Sequence, residues 1–177
     1  MYTPRQSLLL GGLLLAASPA LGTESPQLGV LITSTEMAAW DISIQTDGRG
    51  LPAGSGNAAI GKKIFAEKCV ACHNEKGKGQ PFDQLVGGRG SLAGSAPVKT
   101  IGSYWPYATT IFDYVRRAMP LTAPQSLAND EVYSITAYLL FLNGIIKERD
   151  IMNAETLAQV KMPNRGGFVV EYPVGAR

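Results

Sequence analysis

The sequence predicts an all-α domain, and three observations carry that expectation. Apolar residues recur at helical spacing in three separate stretches of the chain. No stretch shows the sustained alternation of a half-buried strand worth defending. Twenty glycines and eleven prolines cut the remainder into long irregular connections. At 177 residues with 45% apolar content the chain has enough material for one packed core.

The first helix is expected from Asn57, a good N-cap, to about Cys69, with Ile60, Ile64 and Phe65 on one stripe. A loop over roughly 74–104 follows, rich in Gly and Lys. The second helix is expected from Pro106, a favoured first-turn residue, to about Arg117, with Tyr107, Ile111, Tyr114 and Val115 inward. Pro120 and Pro124 forbid its continuation. The strongest helix spans Asp130 to Leu142, with Val132, Ile135, Leu139 and Leu142 in register and Asn143-Gly144 as its stop.

Four regions frame these helices. Residues 1–22 read as an export signal: Arg5 precedes an apolar run from Leu8 to about Ala17, and Pro19, Ala20 and Gly22 supply the cleavage context. That run is too short to span ~30 Å of hydrocarbon comfortably. The expected location is therefore the periplasm, with no membrane attachment once the signal is removed. Residues 23–56 form an N-terminal arm, in which Met37–Ile44 is expected to be extended with Trp40 anchoring it. Residues 57–144 form the domain, and 145–177 a C-terminal tail with one turn near Ala154–Val160.

Charge is nearly balanced, Lys+Arg 16 against Asp+Glu 14, which argues against nucleic acid as a partner. Two cysteines and one histidine exclude a disulfide scaffold and any paired-histidine chemistry. All three lie within five residues, Cys69-Val70-Ala71-Cys72-His73, the C-x-x-C-H signature of covalent haem c attachment. Two thiols three residues apart can each form a thioether with a haem vinyl group, and the next residue then sits beneath the iron as axial ligand. A zinc site would need a fourth N or S donor, and none is left in the chain. A thioredoxin-like dithiol would sit beside a βαβ pattern, which is missing.

With no second His and no third Cys, the iron's other ligand must be a methionine. Met119 follows a helix directly, is backed by Pro120, and lies about ten residues before the last helix. Met162-Pro163 repeats the dipeptide and is its main rival. A thioether ligand raises the reduction potential and fills the sixth position, favouring electron transfer over oxygen chemistry. Arg89, Lys99, Tyr104 and Trp105 are candidate donors to the haem propionates. His73 is expected to give its second ring N–H to a backbone carbonyl, near Pro81.

These residues resemble the class I cytochromes c: Gly61-Lys62-Lys63-Ile64-Phe65 ahead of the haem motif, Met119-Pro120, and Tyr138 on the closing helix. The resemblance implies that Gly61, Phe65 and Tyr138 form the contact where first and last helices cross. A narrower set, including Leu85-Val86-Gly87-Gly88, Gly102-Ser103-Tyr104-Trp105-Pro106-Tyr107 and Phe112-Asp113-Tyr114-Val115-Arg116-Arg117-Ala118-Met119-Pro120, is similar to the cytochrome c subunit of bacterial sulfite and sulfur dehydrogenases. This implies a periplasmic monohaem subunit that accepts single electrons from a molybdenum-cofactor dehydrogenase subunit in sulfur oxidation. It would pass them to a downstream cytochrome or terminal oxidase. The alternatives are a free-standing electron shuttle, a haem subunit of another periplasmic dehydrogenase, and a catalytic or gas-sensing haem protein. Between Gly48 and Arg117 ten basic residues face four acidic ones, a candidate basic rim for an acidic redox partner. No group in the chain is suited to transform a sulfur substrate itself.

Overall fold

The computed structural model describes residues 28–169 and Glu171, so the expected export signal lies outside the described residues. The chain divides into two units, the first ending at Thr33. In that first unit, residues 28–33 are exposed and carry neither helix nor strand.

The second unit is helical. In chain order it contains α1 (Ser34–Trp40), β1 (Ser55–Gly56), α2 (Ala58–Lys68), α3 (Val70–His73), a 3-10 turn at Glu75–Gly77, α4 (Ala108–Ala118), α5 (Asn129–Leu142), β2 (Met152–Asn153) and α6 (Ala154–Ala158). Asn57 caps α2 as expected, its side chain accepting the Ile60 N–H at 3.0 Å. At the end of α4, Met119 turns extended (φ −119, ψ 145), the conformation a following proline imposes. Gly144 at φ +65 ends α5 in the left-handed region.

Three local expectations are corrected. Met37–Trp40 is helical rather than extended, because Glu36 in the first turn and the two alanines favour a helix start. Trp40 is not an anchor: it is 86% exposed. The arm is held instead by Ile44 and Leu51 packed against the core and by the Ile44 N–H, which donates to Asp113 Oδ1 at 3.3 Å. Secondly, α4 starts at Ala108 with Tyr107 as N-cap, because the turn through Ile101–Tyr104 runs straight into Trp105-Pro106. Thirdly, two short strands exist, Ser55 pairing with Asn153 and Gly56 with Met152 in antiparallel register. Two residues are too few to print an alternation in the sequence.

The core forms where α2, α4 and α5 meet. Phe65 packs on Tyr138 at 5.4 Å between ring centroids, and Phe112 on Tyr133 at 4.5 Å. The Tyr133 hydroxyl donates to the Pro52 carbonyl at 2.8 Å, fastening the arm to α5. Gly61 lies so close to α5 that a Cβ there would run into the Ser134 carbonyl. The segment after α5 folds back onto the same core, with Met152, Leu157 and Met162 buried in it. Among the described residues no helix is long and apolar enough to cross a membrane.

Among the described residues one buried side-chain polar atom has no partner, the Thr136 hydroxyl on α5. A buried unsatisfied hydroxyl costs about 1–3 kcal/mol. Thr136→Val keeps the shape and removes that cost, so chemical denaturation should show stability raised by about 1 kcal/mol.

Candidate haem-binding site

The C-x-x-C-H motif sits at the junction of α2 and α3. Cys69 closes α2 by donating its N–H to the Phe65 carbonyl at 2.9 Å. Its own carbonyl accepts the N–H groups of Cys72 (3.1 Å) and His73 (3.0 Å), so the motif is a single tight turn. Both cysteines are half-buried free thiols. Before haem is attached, burial pushes the Cys69 thiol up to about 11, slightly opposed by the charge of Lys68. Among the described residues no three His, Cys, Asp or Glu side chains converge on one point, so the two sulfurs and the ring address different positions.

His73 Nδ1 lies 3.0 Å from the Asp83 carbonyl oxygen. A carbonyl can only accept, so Nδ1 carries the proton and Nε2 presents a lone pair. The acceptor is two residues beyond Pro81, near where the sequence pointed. Asp83 is placed by a loop that returns to the motif: Gly79 N–H donates to the His73 carbonyl at 2.9 Å and Phe82 N–H to the Cys72 carbonyl at 3.0 Å. Leu85 N–H then donates to the Gly77 carbonyl at 2.8 Å. Gly77 adopts φ +67 to make this return.

The methionines separate by burial. Met162 is 3% exposed and Met152 4%, both enclosed in the core. Met37 stands on α1, 51% exposed. Met119 is half-buried, packed against the edge of the core at the end of α4. Ile64, Val70, Leu85, Trp105 and Leu142 likewise pack on the core while remaining partly uncovered.

Of the candidate propionate donors, Lys99 and Tyr104 are brought together, with Lys99 Nζ 5.2 Å from the Tyr104 ring centroid. Trp105 packs edge-on to Tyr114 at 5.9 Å. The Arg89 guanidinium donates through Nη2 to the Asn143 carbonyl at 3.1 Å, where the negative end of the α5 dipole favours a cation. Sequence reading missed the tail's part in this loop. Asn164 Nδ2 donates to the Tyr104 carbonyl at 2.8 Å, Phe168 packs on the Tyr104 ring at 5.3 Å, and Arg165 covers Tyr107 at 4.0 Å. It also missed Asn143, read there only as a helix stop. Nothing local marks such residues, because their partners lie some 60 positions away.

Part of the basic excess is neutralised. Lys68 pairs with Glu131 at 2.6 Å, Arg117 with Asp113 at 2.7 Å and Arg49 with Asp47 at 2.8 Å. The Lys68 ammonium and the Ala128 N–H hold the Glu131 carboxyl below its ordinary value of 4.5, against a smaller opposing effect of burial. A lowered folded value means that its stabilisation is complete above about pH 4.5 and is lost as pH falls through the folded value. The pair is partly exposed and contributes at most about 1 kcal/mol. Glu131→Gln should therefore flatten the acid limb of a stability–pH curve by that amount while leaving neutral-pH electron transfer unchanged.

A sequence-family model for cytochrome c matches residues 58–143, spanning α2 through the cap of α5. The fold and sequence together are similar to a chain in the crystal structure of the sulfane dehydrogenase SoxCD from Paracoccus pantotrophus. That match has 41% identity and a TM-score of 0.78, covering 86% of this chain and 79% of that one. This chain belongs to the cytochrome c family. Among curated proteins the cytochrome is 30% identical to a thiosulfate dehydrogenase of Psychrobacter arcticus over 108 residues, 59% of this chain and 33% of the relative. It is 61% identical over 33 residues to the cbb3-type cytochrome c oxidase subunit FixP of Bradyrhizobium, 18% of this chain and 11% of the relative. The chain thus spans a third or less of the length of either curated relative.

The cytochrome carries one covalent haem c, in keeping with its family and the spacing of its cysteines. The donor set fits that group: two cysteines in no disulfide among the described residues, an imidazole whose Nδ1 is engaged by the Asp83 carbonyl, and a thioether at the core's edge.

Proposed function

We propose that this cytochrome is the electron-accepting haem subunit of a periplasmic molybdenum-cofactor dehydrogenase acting on sulfite or a related sulfur species. In this reading residues 1–22 direct export and are removed, leaving no membrane attachment, and residues 57–144 form the haem domain between arm and tail. Cys69 and Cys72 would hold the haem through two thioethers, and His73 Nε2 and the Met119 sulfur would be the ligands to its iron. The observation that carries the ligand assignment is the His73–Asp83 hydrogen bond, which frees Nε2, together with the placement of Met119 as the methionine left half-covered at the core's edge. When bound, the haem supplies one-electron exchange between ferric and ferrous iron.

The protein's own residues set the conditions for that exchange. The Asp83 carbonyl fixes the imidazole's tautomer and raises its basicity. Ile64, Leu85, Trp105 and Leu142, partly uncovered at the core's edge, would shield a bound haem from water, which would limit reorganisation as its charge changes. Lys99 and Tyr104, set side by side, would supply donors to the haem propionates together with Trp105, and Arg89 ties its loop to the end of α5.

The partner reading draws on the SoxCD and thiosulfate dehydrogenase relatives. Purification of the native protein decides it. Recovery in a fixed one-to-one ratio with a larger molybdenum-containing subunit supports the assignment, whereas recovery alone favours a free shuttle to a downstream cytochrome or terminal oxidase. Ready binding of carbon monoxide by the ferrous protein would instead mark an open iron and a sensing or catalytic role. If Lys62, Lys63, Lys76 and Lys78 steer docking, electron-transfer rates with the partner should fall steeply as salt rises toward ~0.5 M, and a flat response would retire the basic rim.

A further inference from the structure

We propose that Asn143, at the end of α5, is a positioning residue for the proximal imidazole, acting through the loop that supplies its hydrogen-bond acceptor. The proposal rests on the reading of His73 as an iron ligand.

The Asn143 amide is used at both ends. Its Nδ2 donates to the Leu139 carbonyl at 2.9 Å, which also accepts the Asn143 backbone N–H at 3.3 Å, and to the Leu85 carbonyl at 3.2 Å. Its Oδ1 accepts the Gly87 N–H at 3.1 Å. The side chain therefore grips residues 85 and 87 across more than fifty positions of sequence. Gly102 packs so closely against it that a Cβ there would run into Asn143 Oδ1.

Leu85 is the end of the loop that begins at His73. On the near side that loop is tied to Cys72 by the Phe82 N–H. On the far side it is tied to α5 by Asn143. Asp83, whose carbonyl receives the His73 Nδ1 proton, lies between the two fastenings. The backbone bond between Leu85 N–H and Gly77 fixes the loop's own width but not its position relative to the helices. Asn143 fastens it to α5, alongside the Ile101 N–H, which donates to the Leu85 carbonyl, and the Thr100 hydroxyl, which donates to the Gly87 carbonyl; α5 is in turn seated on α2 by Phe65 and Tyr138. A carboxamide suits this task because it offers two donors and an acceptor on a short stem. Aspartate would set a carboxylate against two carbonyls, and leucine would leave the Gly87 N–H without its acceptor and take one of two donors from each carbonyl.

Slackening this grip weakens the Nδ1–H···O bond, makes the imidazole a poorer electron donor to ferric iron, and raises the reduction potential. The test measures hydrogen exchange of the His73 Nδ1–H by NMR, together with the midpoint potential, in the haem-loaded full chain. Asn143→Ala is expected to speed that exchange about tenfold or more and to shift the potential upward. Asn153→Ala is the comparison. It removes a cap from α6, where Asn153 Oδ1 accepts the N–H groups of Glu155 and Thr156, and should lower stability without moving either readout. If Asn143→Ala does not load haem, Asn143→Asp keeps the acceptor for Gly87, removes both donors, and should move both readouts in the same directions. Unchanged exchange and potential in a folded Asn143 variant would reduce Asn143 to a helix cap and overturn the proposal. A native protein without an iron-bound imidazole signal would overturn the ligand reading instead, and this proposal with it.

Discussion

Replacing Met119 with alanine is expected to lower the reduction potential on the order of 0.2 V and to abolish the weak near-infrared iron–sulfur band. Axial ligands set haem potentials over a range of about 0.8 V, and a thioether favours ferrous iron more than water or a second nitrogen does. The same substitution opens the sixth position, so the ferrous variant should bind carbon monoxide while the parent does not. Met162→Ala makes the sharp comparison. Met162 is enclosed in the core, so its truncation should cost about 2–5 kcal/mol in stability. The iron–sulfur band should survive it. A band that persists in Met119→Ala and disappears in Met162→Ala would reverse the assignment.

The second large effect is on the helix crossing. Gly61→Val should prevent α2 and α5 from seating. A side chain at Gly61 meets the Ser134 backbone and the Cβ of Tyr138, neither of which can swing aside. Ordinary overpacking costs about 1–3 kcal/mol, but there the neighbours are flexible side chains. Here the helices themselves must separate, pulling Phe65 away from Tyr138. A loss above about 3 kcal/mol is expected, a large part of the 5–15 kcal/mol typical of a folded domain. Denaturant unfolding of the haem-loaded protein measures it, and a loss below about 1 kcal/mol would show that the crossing is looser than the geometry implies. Gly61→Ala tests the same contact with the smallest possible side chain and should still be destabilising.

Much of this was legible in the residues themselves. The C-x-x-C-H motif names its chemistry because both sulfurs and the imidazole must come from one turn, so the information is local. The limits of α2, α4 and α5 follow from Asn57, Met119-Pro120 and Asn143-Gly144, each acting on its own backbone. Trp40 misled because a large apolar side chain normally finds a core, and nothing in its neighbours reports that α1 leaves it in solvent. The propionate candidates were chosen by charge and proximity in sequence, which says nothing of the contact that sets Lys99 over the Tyr104 ring.

The chain's own order of residues determined the cofactor chemistry, the helical class and where each helix stops, since those depend on neighbours a few positions apart. The folded structure decided which methionine stays half-covered, which carbonyl takes the His73 proton, and how Asn143 and Asn164 reach back to loops some 60 residues earlier. Those choices depend on which surfaces meet when α2 and α5 cross. A contact between distant positions is selected by the packing of the whole core, and no short stretch of sequence contains it.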